Sequence, residues 1–188
     1  MKGRTSTLIA LLSALVVIVA IAVMYELHAA RLHNASYAPV TSSLQAGQTA
    51  PEFRIASTVG LFDLDAQRRP VLLEIFASWC PHCQHETVVM NQLYAHFKSR
   101  VAFLAIPGST TAMDGVSPES EGDLLAFIER FHVSYPVAVF DPELTVANQY
   151  IQGGYPTIAV IGTNKKILFI GSGEIPYASL AAQLQRAL

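Results

Sequence analysis

The stretch Val71-Leu72-Leu73-Glu74-Ile75-Phe76-Ala77-Ser78-Trp79-Cys80-Pro81-His82-Cys83 decides the fold of this chain. Residues 71–77 are apolar except for Glu74 and are bounded by Arg68-Arg69-Pro70 on one side and a cysteine motif on the other. A short continuous apolar run of this kind predicts a strand covered on both faces. Pro81 suits the first position of a helix, where its missing N–H costs nothing. Val89, Leu93 and Phe97 then recur at i+4 beside Met90 and Tyr94, so an amphipathic helix is expected to about Lys98.

Working outward, a second strand is predicted over 101–106 and a helix around Leu124, Phe127, Ile128 and Phe131. Residues 136–140, 144–150, 157–161 and 166–170 read as strand, helix, strand and strand, and 177–188 as a closing helix. Asn164-Lys165 supplies a hairpin turn between the last two strands. Upstream, Phe53-Arg54-Ile55 and 61–64 flank Gly60 as an opening hairpin. The implied architecture is α/β: a mixed central sheet with helices on both faces, an N-terminal hairpin and an inserted helix–strand unit.

Cys80 and Cys83 are the only two cysteines of the 188 residues. At the start of a helix, unpaired N–H groups and the helix dipole favour the thiolate form of Cys80, the attacking species in disulfide exchange. Cys83, one turn on, is placed to resolve a mixed disulfide. His82 and His85 add metal donors nearby, but structural zinc sites assemble two Cys-x-x-Cys knuckles and no second pair exists, so no metal site is expected. A purely structural disulfide would close so short a loop that it removes little chain entropy. Redox chemistry is the better account.

With these residues in view, Glu74 to Cys83 resembles thioredoxin-fold proteins, and 47–188 as a whole is similar to the TlpA/ResA branch of membrane-tethered thiol–disulfide oxidoreductases. Ala50-Pro51-Glu52-Phe53, Tyr135-Pro136-Val137, Asp141-Pro142 and Gly154-Tyr155-Pro156-Thr157 carry the likeness beyond the cysteines. The resemblance implies a cis peptide before Pro156, with the Tyr155 backbone offered to a substrate strand. It also implies that Glu74 is the buried acid beneath the cysteines, exchanging a proton with Cys83, and that Glu86 is a second active-site acid. No cofactor beyond the Cys80–Cys83 pair is expected. Two other thioredoxin-fold readings compete. A copper-binding assembly factor would use a Cys-x-x-x-Cys spacing and a distal His, and a thiol peroxidase a Thr-x-x-Cys motif; neither is evident.

The direction of exchange turns on His82. An imidazole near the helix start stabilises the Cys80 thiolate and makes the pair more oxidising, while Glu74 and Glu86 push the other way. A potential more oxidising than thioredoxin's is expected. Trp79 is expected to pack beside the motif.

Residues 5–25 contain no charged side chain, and at ~1.5 Å per residue they match a ~30 Å hydrocarbon core. They read as one transmembrane signal-anchor rather than a cleaved signal peptide, whose apolar region would be shorter. Lys2 and Arg4 precede the span and Glu26 follows it, which leaves the tail (1–25 including the span) cytoplasmic at its start and everything after it outside. Residues 26–46, without hydrophobic periodicity and filled with Ala, Ser and other small or polar residues such as His, Asn, Thr and Gln, read as a tether, and 47–188 as the domain. Of the 12 Lys+Arg, removing Lys2 and Arg4 leaves 10 against 14 Asp+Glu. That balance offers no basic patch for nucleic acid. The expected partners are protein thiols and disulfides outside the cytoplasm, in cytochrome c maturation or secreted-protein redox control, and a membrane protein that recycles the pair.

Overall fold

The computed structural model describes residues 15–25, 42–139, 141 and 143–188. Residues 15–25 are helical with exposed side chains. Among the described residues no helix is long and apolar enough to cross a membrane. The expected span over 5–25 lies partly outside the described residues, as does most of the expected tether. Its last residues, however, lie against the domain, where the Ser42 N–H donates to Ile151 O at 2.7 Å.

Ten elements follow. They are β1 (Arg54–Ser57), β2 (Gly60–Asp63), β3 (Val71–Phe76), α1 (Pro81–Phe97), β4 (Ala102–Pro107), α2 (Glu121–Arg130), α3 (Ala147–Tyr150), β5 (Thr157–Ile161), β6 (Ile167–Ser172) and α4 (Tyr177–Ala187). β1 and β2 form an antiparallel hairpin, and the other strands form one sheet in the order β4-β3-β5-β6. β3 runs parallel to β4 and antiparallel to β5. The sheet is therefore mixed, as its alternation of crossover and hairpin connections requires.

Central β3 is buried at all six positions, and alternation along it separates two cores. Leu72 and Phe76 join Met90, Leu93 and Phe97 of α1, Phe127 of α2 and Leu180 of α4. Val71, Leu73 and Ile75 join Phe53, Ile55 and Phe62 of the hairpin and Tyr150 of α3. The three longer helices thus share one core, whereas the second is closed by the hairpin and a single helical turn. Glu74, two residues from Leu72 and from Phe76, falls on the α1 face.

Two expectations are corrected. The strand over 136–140 is reduced to isolated bridges, Ala105 with Val137 and Ser57 with Ala138, and Phe140 lies outside the described residues. Pro136 has no N–H to extend a ladder, and 137–139 divide their bonds between β4 and the hairpin. The helix over 144–150 shrinks to Ala147–Tyr150, because Leu144 sits at φ 51 and Asp141 caps the turn from Thr145 to Ala147. The Asn164-Lys165 turn forms as expected, with Lys165 at φ 61 and its Nζ donating to Leu64 O and Gln67 O.

Candidate active site

The strand–turn–helix unit sets both sulfurs. Cys80 is the N-cap residue of α1 and Pro81 follows at the first helical position. The Cys80 side chain makes no capping bond; its Sγ instead faces Tyr155 O at 3.8 Å. Cys83, a turn deeper, receives the Ala77 N–H on its Sγ at 3.5 Å. Cys80 is 6 % exposed and Cys83 0 %, and neither is in a disulfide. Position along one helical turn therefore gives one sulfur access and seals the other.

Tyr155 enters from the loop before β5, and the Tyr155–Pro156 peptide is cis, as the resemblance implies. Its ring meets Trp79 edge-on at 6.1 Å, and its hydroxyl donates to Gly108 O. Trp79 Nε1 donates to Ser109 Oγ at 2.8 Å. A Cβ on Gly108 would stand 2.6 Å from Ile75 Cγ2 and 2.8 Å from Tyr155 Cε1, so only glycine allows this approach. The loop after β4 thus fixes both aromatic rings beside Cys80.

Beneath Cys83 the site is acidic and dry. Glu74 is 1 % exposed; its Oε2 accepts from the Tyr135 hydroxyl at 3.3 Å, and its Oε1 has no partner among the described residues. Burial first, and the nearby Glu86 second, push its carboxyl up to about 8. Glu86, also 1 % exposed, accepts the Ile175 N–H on Oε2 at 3.2 Å, and its Oε1 likewise has no partner among the described residues. Burial raises it to about 7 against the pull of that bond. The Cys83 thiol is driven well above the ordinary thiol range by burial and then by Glu74. So desolvated a pocket disfavours two negative charges at once, and Glu74 is the carboxyl whose charge acts on Cys83.

His82 does not reach the sulfur with its Nδ1. That nitrogen lies 2.6 Å from Glu174 Oε1, on the surface, with His85 Nδ1 3.5 Å from the same oxygen. Pro81 shapes the start of α1 and makes no polar contact of its own. Among the described residues no group of three or more His, Cys, Asp or Glu is placed to hold a metal ion.

Sequence reasoning placed Cys80, Cys83, Glu74, Glu86, Trp79, Tyr155 and Pro156 at one locus, and the structure brings them together. It missed Glu119, which accepts the Ser78 hydroxyl and is raised to about 7 by burial, and also Gly108, Ser109 and Glu174. Tyr135 enters the sequence pattern only within Tyr135-Pro136-Val137, which carries no sign of its bond to Glu74. Glu119 immediately precedes the Ser120 capping box, a local pattern that accounts for Asp123 but carries no sign of Ser78, 41 residues away.

A buried acid under a Cys-x-x-Cys helix start, facing a cis-proline loop across a mixed sheet, defines a thioredoxin-fold thiol–disulfide oxidoreductase. The Redoxin family model matches residues 45–184, and the chain belongs to that family. It is 28 % identical over 147 residues to the thiol-disulfide oxidoreductase ResA of Geobacillus thermodenitrificans, covering 77 % of this chain and 79 % of that protein. ResA of Bacillus subtilis is likewise 28 % identical, with 77 % and 76 % covered. Among solved structures, the thiol:disulfide interchange protein DsbE of Chlorobium tepidum superposes with a TM-score of 0.66 at 29 % identity, over 77 % of this chain and 99 % of that one.

Proposed function

We propose that this enzyme exchanges disulfides with protein substrates outside the cytoplasm, tethered by the apolar segment at 5–25. The observation that carries the chemistry is the pairing of Cys80, the more exposed of the two and turned to the Tyr155 carbonyl, with a sealed Cys83 under the influence of Glu74. In the reducing direction the Cys80 thiolate attacks a substrate disulfide. The substrate S–S bond breaks, one sulfur leaves as a thiol, and a mixed disulfide forms. Cys83 then loses its proton to Glu74 and attacks the Cys80 sulfur, which releases the second substrate thiol and leaves the Cys80–Cys83 disulfide. The oxidising direction is the reverse. Glu86 moves protons on the same path, and no cofactor besides the cysteine pair enters it.

The uncharged segment with Lys2 and Arg4 before it supports an anchored, extracytoplasmic placement. The resemblance to the TlpA/ResA branch supports apocytochromes or other secreted thiols as substrates and a membrane protein as recycler. A Cys83→Ala variant in native membranes tests the reading, because its Cys80 adduct cannot resolve. Discrete mixed disulfides with exported thiol proteins are expected. Loss of the same adducts in a Cys80→Ser, Cys83→Ala control confirms the attacking sulfur, and adducts confined to cytoplasmic proteins would sink the placement.

A further inference from the structure

The turn between β6 and α4 touches the site at three places. The Gly173 N–H donates to Pro156 O at 2.8 Å, Glu174 pairs with His82 and His85, and the Ile175 N–H donates to Glu86. Three consecutive residues therefore hold the proline loop, the motif histidine and a buried acid. Gly173 sits at φ 86, a conformation that directs the chain back over the start of α1.

Within that turn Glu174 has a distinct chemical effect. Its carboxyl is held below the ordinary value, first by the His82 hydrogen bond, so it is charged at neutral pH. An imidazole beside a Cys-x-x-Cys helix start strengthens an oxidant by its positive charge and its N–H donors, both of which stabilise the thiolate of the reduced form. Here Nδ1 is committed to a carboxylate, and the polar contact of the Cys80 sulfur is the Tyr155 carbonyl. A protonated His82 paired with Glu174 presents no net charge to the sulfur. We propose that Glu174 is a positioning residue that withdraws His82 from Cys80 and so makes the Cys80–Cys83 pair a weaker oxidant than its Pro-His motif would otherwise produce.

This rests on the reading of Cys80–Cys83 as the exchanging couple. Equilibration of the full-length protein with glutathione tests it, for wild type, Glu174→Gln, His82→Ala and the double variant. Glu174→Gln is expected to shift the equilibrium constant toward the dithiol by about two- to five-fold, the range of an exposed charge interaction. His82→Ala alone is expected to change little, and in the Glu174→Gln background to cancel the shift. An unchanged constant in Glu174→Gln overturns the proposal, and so does a shift that survives His82→Ala, which would make it a direct effect of the carboxylate. A wild-type protein that does not equilibrate as a dithiol–disulfide couple overturns this proposal together with the reading beneath it. Both side chains are exposed, so unfolding midpoints serve as the control and should stay together.

Discussion

The two sides of the Cys80–Cys83 turn are chemically opposite. On the Cys83 side, Glu74, Glu86 and the thiol are buried between the sheet and α1, two carboxylate oxygens lack partners among the described residues, and every one of these groups is pushed toward its neutral form. On the Cys80 side, His82, His85 and Glu174 are exposed to solvent, and the Glu174 carboxyl is held in its charged form. The same residue types behave differently because desolvation outweighs nearby charges in the first region, while solvent screens them in the second. Proton movement belongs to the dry side and electrostatic trimming to the wet side.

The largest effect that could break this contrast is Glu74→Gln. A carboxyl raised from 4.5 to about 8 binds its proton more tightly when folded, so its contribution to stability is complete below 4.5 and is lost as pH rises toward about 8. The Gln variant should gain on wild type across that window, by an amount of the order of a few kcal/mol at its upper end. It should also resolve mixed disulfides more slowly. Urea unfolding across pH reads the first and quenched-flow trapping the second; parallel pH profiles for the two proteins would refute the dry-side account.

Gly108→Ala comes next, since its Cβ would press on Ile75 and on the Tyr155 ring. A loss of ~1–3 kcal/mol is expected from such overpacking, with reduced exchange activity because Tyr155 moves from Cys80. Wild-type stability and turnover in this variant would show that the contact relaxes freely. Tyr135→Phe removes the side-chain donor that Glu74 has among the described residues and should cost about 1 kcal/mol. Because that bond lowers the Glu74 carboxyl, the upper end of the pH window over which stability falls should move upward while its start near 4.5 stays, and a downward move would count against it. Smallest of all, His85→Ala on the wet side should change thermal stability by less than about 0.5 kcal/mol. A larger loss in a melting curve would mean that this surface is structural.

Much of this was legible along the chain because it is local. The continuous apolar run of 71–76 identifies a strand covered on both faces, and once the structure shows which face carries α1, strand alternation puts Glu74 there with Leu72 and Phe76. Pro81 after Cys80 marks a helix start, which by itself separates the two sulfurs by one turn. Less legible were 136–140 and 144–150, where apolar content implies regular elements but bonds shared with β4, the hairpin and Asp141 leave only bridges and one turn.

The sequence by itself determined the chemistry available: two cysteines one helical turn apart, an acid in a buried strand, and a Gly-Gly-Tyr-Pro turn before another strand. What only the tertiary structure decided is the environment of each group. Glu74 is completed by Tyr135 from 61 residues away, Ser78 by Glu119 from 41, and His82 by Glu174 from 92. Charge state and reactivity depend on solvent exclusion and on such distant partners, and neither leaves a periodic or local mark on the chain.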